Sequence, residues 1–394
     1  MDHLLYFDYN QKSSVLLIAF FHAILFSFLL WRKGIRENRK HSKWLAAFIL
    51  LGGLYLCPFM CGYGGWYSKK SYREFLFFIP FQQLFLLGPV FFFYVKTRLN
   101  RDSIFTRKDT LHFLPAIAYL AYSLIVFITD KLLLEEFYFY ADGRDKDLAF
   151  WYQMAGLISM LFYLLLSLRH YLRYRQMVLQ EVSYADEIAF KWIQHFAIAF
   201  SLILMLRVLF FILNPEWGQF GSKYWYYLCF STLLLYISIT GYSATVKTAV
   251  SLDAQLLLGL GPPGADRGRE ADPEEAEEAR ALREWRAKIT RLLETEEVYR
   301  NPNLTLTDLA RSLDTNRNIV SRVINQEFGM NFNDFVNEKR AAAVIVKLKN
   351  GEHHTNTLLG IALDCGFNSK TTFNRAFKKH TGSTPRQFIA QNKL

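Results

Sequence analysis

The chain has few cysteines and none of the signatures of the common enzyme classes. Only four cysteines occur among 394 residues, and they form neither a CxxC pair nor the spacing of a zinc site. The sequence contains no HExxH, no GxSxG, no phosphate-binding loop and no kinase signature. It therefore predicts a protein that is not an enzyme and that has no catalytic residues, no metal site and no cofactor. The cysteines are interpreted as small buried hydrophobes, with a redox sensor as the alternative.

The N-terminus also lacks the basic segment and the small-residue cleavage site of a removed signal peptide. What the chain has in abundance is apolar and basic residues. Hydrophobic residues make up 52% and aromatic residues 17%, yet the formal net charge is +11. The aromatic residues are concentrated in residues 1–245, and this uneven distribution indicates two different parts joined in one chain.

Seven apolar stretches in residues 1–245 are long enough to cross the hydrocarbon core of a bilayer, which takes about 20 helical residues. They are separated by short charged loops, and together they predict a seven-helix transmembrane bundle. The predicted spans are Ser13–Trp31, Lys43–Cys61, Phe75–Val95, Leu111–Thr129, Leu148–Leu168, Trp192–Leu213 and Tyr224–Tyr242.

Lysine and arginine in the loops predict the orientation of this bundle. One side carries fifteen of these residues and the other side eight. The richer side is expected to face the cytoplasm, so the N-terminus lies outside and the chain after Tyr242 lies inside. The predicted location is the bacterial cytoplasmic (inner) membrane, with an acidic external loop between the fourth and fifth spans.

Few polar side chains interrupt the predicted spans, and an ionisable group at membrane depth is by default a candidate functional site. Arg207 lies in the sixth span, Gln82 and Gln83 in the third beside Pro80, and His22 in the first. We interpret them as candidate ligand-sensing residues. The alternative is that Arg207 pairs with a glutamine or a carbonyl to hold the bundle together.

Residues 246–284 are predicted to be a cytoplasmic linker, rich in Gly and Pro and then acidic. A helix is expected from Pro273, because proline and acidic residues favour the first turn of a helix. Its apolar stripe either packs against the following domain or forms the seam of a homodimer. The stripe consists of Trp285, Ile289, Leu292 and Leu293.

Residues 285–394 carry 17 Lys and Arg against 10 Asp and Glu, and they contain a helix-turn-helix pattern twice. In the first copy, Thr307 is expected to cap a short helix, and Ala310 is followed by Asp314 at the turn. The second helix is predicted over Asn316–Phe328, with its inward side chains being Ile319, Val323 and Phe328.

In the second copy, Ala362 is followed by Gly366 at the turn, and Ser369 is expected to cap a helix whose core residues are Phe373 and Phe377. A helix over Asp334–Leu348 is expected to separate the two copies. The outward faces of the second helices carry side chains that suit base edges and phosphates, although a single charge is equally typical of a solvated surface. The predicted DNA-binding residues are Arg317, Asn318, Ser321, Arg322, Lys370, Thr371, Thr372, Asn374, Arg375 and Lys378.

Four motifs carry a resemblance to a known family, namely "SR" at 321–322, "GMNF" at 329–332, "R..A" at 340–343 and "GF…F.R.FKK..G.TP" over 366–385. This part of the chain resembles the DNA-binding domain of AraC-type bacterial transcription regulators. The resemblance implies that both recognition helices read DNA. Asn318, Ser321 and Arg322 would lie in one groove, and Lys370, Thr371, Thr372 and Arg375 in the next. Asp314 departs from the frequent glycine, and the usual sugar-binding domain is absent.

The sequence thus predicts an all-α protein, with a transmembrane sensor domain over 1–245, the linker over 246–284 and a double helix-turn-helix DNA-binding domain over 285–394. The predicted function is that of a membrane-bound, sequence-specific transcription regulator. Its predicted partners are double-stranded DNA, the lipid bilayer and an unknown small-molecule or lipid signal, with a second copy of the chain and RNA polymerase as further candidates. The alternative is a membrane receptor or transporter whose C-terminal domain only tethers it to DNA or a partner. Proteolytic release at the linker is a variant of the first hypothesis.

Overall fold

The computed structural model describes residues 9–100, 103–141, 145–185, 190–213, 222–243 and 273–392. The chain divides into two compact units, the first comprising residues 1–171, 191–245 and 249–251, and the second comprising residues 172–190, 246–248 and 252–394. Within the described ranges the β structure is a single isolated bridge between Val182 and Thr305, and everything regular besides is helical. The predicted all-α class is confirmed.

The first unit is built from long apolar helices. They are α1 (Gln11–Arg36), α2 (Lys40–Tyr63), α3 (Lys70–Leu76), α4 (Leu84–Leu99), α5 (Leu114–Phe127), α6 (Phe150–Glu181), α7 (Phe190–Val208) and α8 (Lys223–Ser243). The last turns of α6 and the first residue of α7 belong to the second unit. Asn10 begins α1 by accepting a hydrogen bond from the Ser13 amide at 2.9 Å, which satisfies one of the unpaired donors of the first turn.

Five helical segments among the described residues are long and apolar enough to cross a membrane. They are Gln11–Arg36, Lys40–Tyr63, Arg107–Leu133, Phe150–Glu181 and Trp192–Leu213. They cover the first, second, fourth, fifth and sixth predicted spans. The seventh predicted span coincides with α8, a helix of 21 residues. This helix is long enough, but it is not among the segments that are also apolar enough to cross a membrane. The number of spans therefore stays a prediction.

The third predicted span, Phe75–Val95, is not one helix, and this expectation was wrong. The chain leaves helical structure between α3 and α4, around Pro80, because proline lacks an amide hydrogen and disfavours helical geometry in the preceding residue. Side chains accept hydrogen bonds from backbone amides at this break in the helix. The Gln82 amide donates to Asp147 Oδ2 at 2.9 Å, and the Leu84 amide donates to the Tyr152 hydroxyl at 3.1 Å. Irregular backbone is tolerated at membrane depth only when protein groups satisfy it in this way.

Aromatic rings fill the centre of the first unit. Phe91 stacks on Phe200 with ring centroids 4.2 Å apart, and Phe48 meets Phe196 edge-on at 5.4 Å. All four rings are buried. Such pairs add about 0.5–1.5 kcal/mol each beyond the area that they bury. The concentration of aromatic residues in the first part of the sequence therefore supplies the packing of the helix bundle.

Besides the end of α6, the second unit contains the helices that follow residue 272. They are α9 (Pro273–Thr295), α10 (Leu306–Ser312), α11 (Arg317–Glu327), α12 (Phe332–Lys349), α13 (Leu358–Asp364), α14 (Lys370–Thr381) and α15 (Pro385–Asn392). The helix expected from Pro273 is confirmed, so the last part of the predicted linker is helical. The rest of that linker, residues 246–272, lies outside the described residues.

Two hydrophobic cores lie along α12. The first contains Phe335 and Val336 of α12 together with α10 and α11, and the second contains Val344 and Leu348 together with α13 and α14. A helix of 18 residues is about 27 Å long at 1.5 Å per residue, so α12 spaces the two cores as predicted. The stripe on α9 packs into the first core through Ile289 and its neighbours, which supports packing within the domain over a dimer seam.

Three of the four cysteines are buried, as expected, but Cys229 on α8 is exposed, and the interpretation was wrong for that residue. Burial raises the pKa of the Cys365 thiol to about 11. That thiol therefore stays protonated near neutral pH and acts as a small apolar group in the second core.

Candidate nucleic-acid interface

The first helix-turn-helix unit consists of α10 and α11. Thr305 caps α10 through a reciprocal pair with Asp308, whose amide donates to Thr305 Oγ1 at 3.1 Å. The cap was expected at Thr307, which is two residues too late. Asp308 lies three residues after Thr305, the spacing that a capping box requires, so Thr305 is the cap. Asp314 takes a left-handed conformation at φ +50°, as its position at the turn predicted.

The second unit, α13 and α14, repeats this geometry. Gly366 occupies the equivalent turn position at φ +92°. The Thr315 amide donates to the Ala310 carbonyl at 3.0 Å in the first unit, and the Phe367 amide donates to the Ala362 carbonyl at 3.1 Å in the second. Both alanines are buried. The same turn thus forms twice, and the small residue sits where the paired helices cross.

The second helix of each unit, α11 or α14, begins at a side-chain cap and has one buried face. We call these two the recognition helices. Ser369 caps α14 as predicted, accepting from the Thr372 amide at 3.2 Å, and Asn316 caps α11. Phe373 and Phe377 are buried as predicted. On α11, Val323 is buried as predicted, whereas Ile319 and Phe328 are only partly buried and the other fully buried side chains are Val320 and Ile324.

The outward faces carry all but one of the predicted DNA-binding residues. On α11, Asn318 and Arg322 are exposed, whereas Arg317 and Ser321 are half-buried. On α14 the exposed side chains are Lys370, Thr371, Asn374, Arg375 and Lys378. The sequence of α14 contains no Asp or Glu, so every charged side chain on this face is basic, which suits a polyanion.

Thr372 is the exception, and the structure contradicts its predicted place on the binding face. Its side chain is 4% exposed, and its hydroxyl lies 3.0 Å from Ser369 Oγ. Because Ser369 caps the helix from the residue before Lys370, position 372 turns toward the core. The outward placement of Thr372 was therefore wrong.

Buried polar residues on α12 form a feature that the sequence analysis missed. Asn333, Asn337 and Arg340 are spaced to share one face of the helix, and none exceeds 2% exposure. The Arg340 guanidinium donates to the carbonyls of Tyr299 and Asn301 at 2.8 and 2.7 Å. The signal was present as polar residues at i, i+4 and i+7 of the helix, a spacing that places them on one side.

The candidate ligand-sensing residues of the first unit fall into two places. Arg207 is 4% exposed and donates to Gln153 Oε1 at 2.6 Å and to the Gln153 carbonyl at 2.9 Å. Gln153 in turn donates to Gln82 Oε1 at 2.8 Å. Arg207 and Gln82 are therefore joined through a residue that the sequence analysis did not select. Their arrangement favours the alternative in which Arg207 pairs with a glutamine and a carbonyl.

The other two residues are not part of this network. Gln83 donates to the Pro80 carbonyl at 2.6 Å, so it satisfies the break between α3 and α4. His22 on α1 lies 2.6 Å from the Ser238 hydroxyl on α8. Within the described parts of the chain, no cluster of His, Cys, Asp or Glu is arranged to hold a metal ion.

Replacement of Arg207 by methionine is expected to destabilise the first unit. The change removes the donor to both Gln153 oxygens, and an unsatisfied buried acceptor costs about 1–3 kcal/mol. We expect a lower midpoint of thermal unfolding for the detergent-solubilised chain than for the wild type. The control is Arg169→Met, since Arg169 is exposed on α6. Equal midpoints for the two variants would show that the Arg207 network contributes nothing to stability.

Comparisons with known proteins agree with this geometry. Residues 309–391 match a family model described as a helix-turn-helix domain. The chain is 29% identical over 100 residues to "Probable transcription factor PqrA" of Proteus vulgaris, an alignment that covers 25% of this chain and 79% of that protein. No solved structure matches the chain. The matched residues run from α10 to α15, so this region is a helix-turn-helix domain.

Proposed function

We propose that the chain is a membrane-bound, sequence-specific DNA-binding transcription regulator of the AraC type. The observation that carries the proposal is the duplicated helix-turn-helix unit with two outward basic faces. Each recognition helix is proposed to enter a major groove, with the two grooves one helical turn (about 34 Å) apart. The similarity of 100 residues of the chain to a probable transcription factor supports the same function.

The apolar first unit is proposed to be the sensor. Five of its helical segments are long and apolar enough to cross a membrane, and the distribution of Lys and Arg supports a cytoplasmic position for the DNA-binding domain. A small-molecule or lipid signal would change the packing of these helices, and the change would alter how the domain binds promoter DNA. Arg207, Gln82, Gln83 and His22 are the proposed starting points for locating that signal.

The test is a selection of duplexes from a random-sequence pool by the full chain in lipid nanodiscs. We expect a motif with two half-sites centred about 10 base pairs apart, since each recognition helix reads one groove. In cells that express the full chain, a reporter gene controlled by that motif should change its output with growth conditions, and this response should be lost when residues 1–245, which include residues 172–190 of the second unit, are deleted. Enrichment of no motif would contradict sequence-specific binding and favour a tether. A response that survives the deletion would contradict the sensor role.

A further inference from the structure

A short segment that follows the predicted fifth span lies against the helix-turn-helix domain within the second unit. We call residues Gln180–Ala185 the docking segment. Val182 pairs with Thr305 in the isolated antiparallel bridge, and the Ser183 amide donates to the Leu304 carbonyl at 3.1 Å. Val182, Ser183 and Ala185 are buried. The segment thus adds backbone pairing at the start of the domain, just before α10.

Ser183 anchors the docking segment in the polar face of α12. Its carbonyl accepts a hydrogen bond from Asn333 Nδ2 at 2.9 Å, and its hydroxyl lies 3.0 Å from Arg340 Nη2, which donates to it. Asn337 lies 3.4 Å from the same carbonyl. Buried polar groups are costly unless they are paired. Each of the three polar residues of α12 therefore makes a hydrogen bond to Ser183. These bonds fix the position of Ser183 on α12.

The beginning of the docking segment contacts the first recognition helix. Asn325 Nδ2 of α11 donates to Gln180 Oε1 at 3.1 Å. Arg317 forms an ion pair with Glu181 at 3.8 Å, with side-chain exposures of 37% and 12%. Arg317 belongs to the proposed DNA-binding face, and Asn325 follows Arg322 on the same side of α11. A carboxylate and a DNA phosphate carry the same sign of charge and attract the same guanidinium.

We propose that the docking segment competes with DNA for α11, which makes it an internal inhibitor of the domain. The inference rests on the proposed function, whose regulation it describes. Ser183 fixes the segment on α12 and thereby holds Glu181 beside Arg317, so a phosphate reaches Arg317 only after Glu181 has left. Helix α6 runs without a break from Phe150 to Glu181. The chain therefore reaches the inhibitory contact directly from a predicted membrane span.

The experiment measures DNA affinity of the full chain in nanodiscs, using the duplex that the wild type enriches most from the random pool. Glu181→Gln and Gln180→Ala remove the two contacts to α11 and leave Ser183 in place. Glu181→Gln is expected to lower Kd about two- to fivefold, the range that corresponds to a partly exposed ion pair, and Gln180→Ala, which removes a neutral hydrogen bond, is expected to lower Kd as well. The control for net charge is Glu296→Gln, because Glu296 is exposed on the domain surface, and its Kd is expected to match that of the wild type.

Hydrogen exchange supplies a second measurement that needs no substitution. Addition of the duplex should accelerate exchange of the Ser183 amide, whose bond to Leu304 holds the segment in place. If the variants bind DNA as the wild type does and the Ser183 amide stays equally protected, the docking segment is a permanent part of the domain. The inference is then wrong, while the proposed function is unaffected. If neither the wild type nor any variant binds a duplex, the inference falls together with the proposed function.

Discussion

Replacement of Gly366 by alanine is expected to unfold the second helix-turn-helix unit at temperatures where the wild type is folded. Gly366 has φ +92°, and a Cβ atom there would lie 2.5 Å from the Tyr299 carbonyl oxygen and 2.8 Å from Arg300 Cα. Both obstacles are backbone atoms, which cannot rotate away. Left-handed strain of about 1–2 kcal/mol and overpacking of about 1–3 kcal/mol add to a loss of about 2–5 kcal/mol.

Gly382→Ala separates the two causes. Gly382 has φ +77°, but no heavy atom of a described residue outside the immediate chain neighbours lies within 4 Å of the position that a Cβ atom would take, so only the backbone strain applies. We expect this variant to lose about 1 kcal/mol, because the more restricted unfolded chain offsets part of the strain. The measurement is the free energy of opening of the Phe377 amide by hydrogen exchange in the full chain. Equal losses of free energy for the two variants would show that the close approach of a Cβ atom at position 366 to the Tyr299 carbonyl does not lower stability.

The comparison of Gly366 with Asp314 shows where sequence reasoning stops. Spacing from the preceding alanine predicted a left-handed residue at both turns, and both have positive φ. At Gly366 the Tyr299–Arg300 backbone also excludes a Cβ atom, because it packs against the turn, whereas Asp314 carries one. That neighbour comes from a distant part of the chain. Local pattern predicts the conformation of a turn, whereas the space around it depends on tertiary packing.

The break in the third predicted span has the same origin. Pro80 and two glutamines were present in the sequence, and the proline was compatible with either a helix end or a kink in a continuous helix. The interruption is stabilised by Asp147 and Tyr152, which satisfy the backbone of Gln82 and Leu84. Hydropathy alone contains no information about such partners, so the run was predicted as one helix.

The candidate binding face was more predictable than its surroundings. Helical periodicity placed Arg322 and Arg375 on exposed surfaces correctly, since it needs only the helix and its buried side. Thr372 was misplaced because only Phe373 and Phe377 were assigned to the core, whereas the buried face of α14 also includes Thr372 and Ala376. The contact of Glu181 with Arg317 joins residues far apart in sequence. No local pattern indicates a pairing of that kind.

Replacement of Arg322 or Arg375 by alanine is expected to weaken specific DNA binding about five- to 150-fold. That range corresponds to about 1–3 kcal/mol for an arginine that contacts a base edge. The two residues occupy the outward faces of α11 and α14, so each loss should be confined to one half of the selected motif. The measurement is the Kd for the selected duplex and for duplexes with either half-site scrambled. The charge-matched control is Arg291→Ala, because Arg291 is exposed on α9 and should affect Kd less than about twofold.

The Thr372→Val variant tests whether Thr372 is part of the core, as the structure shows, or contacts DNA, as the resemblance implies. Its Kd is measured for the same selected duplex. The threonine hydroxyl bonds to Ser369 Oγ at the start of the helix, and the side chain is buried. Valine preserves the shape, so the Kd for DNA is expected to stay within about twofold of the wild type, while the neighbouring change Thr371→Val at the exposed position should weaken binding more. Because Thr371 and Thr372 are adjacent, charge and helix propensity are the same in both variants. A larger loss at Thr372 than at Thr371 would mean that α14 presents a different face to DNA from the one that its packing indicates.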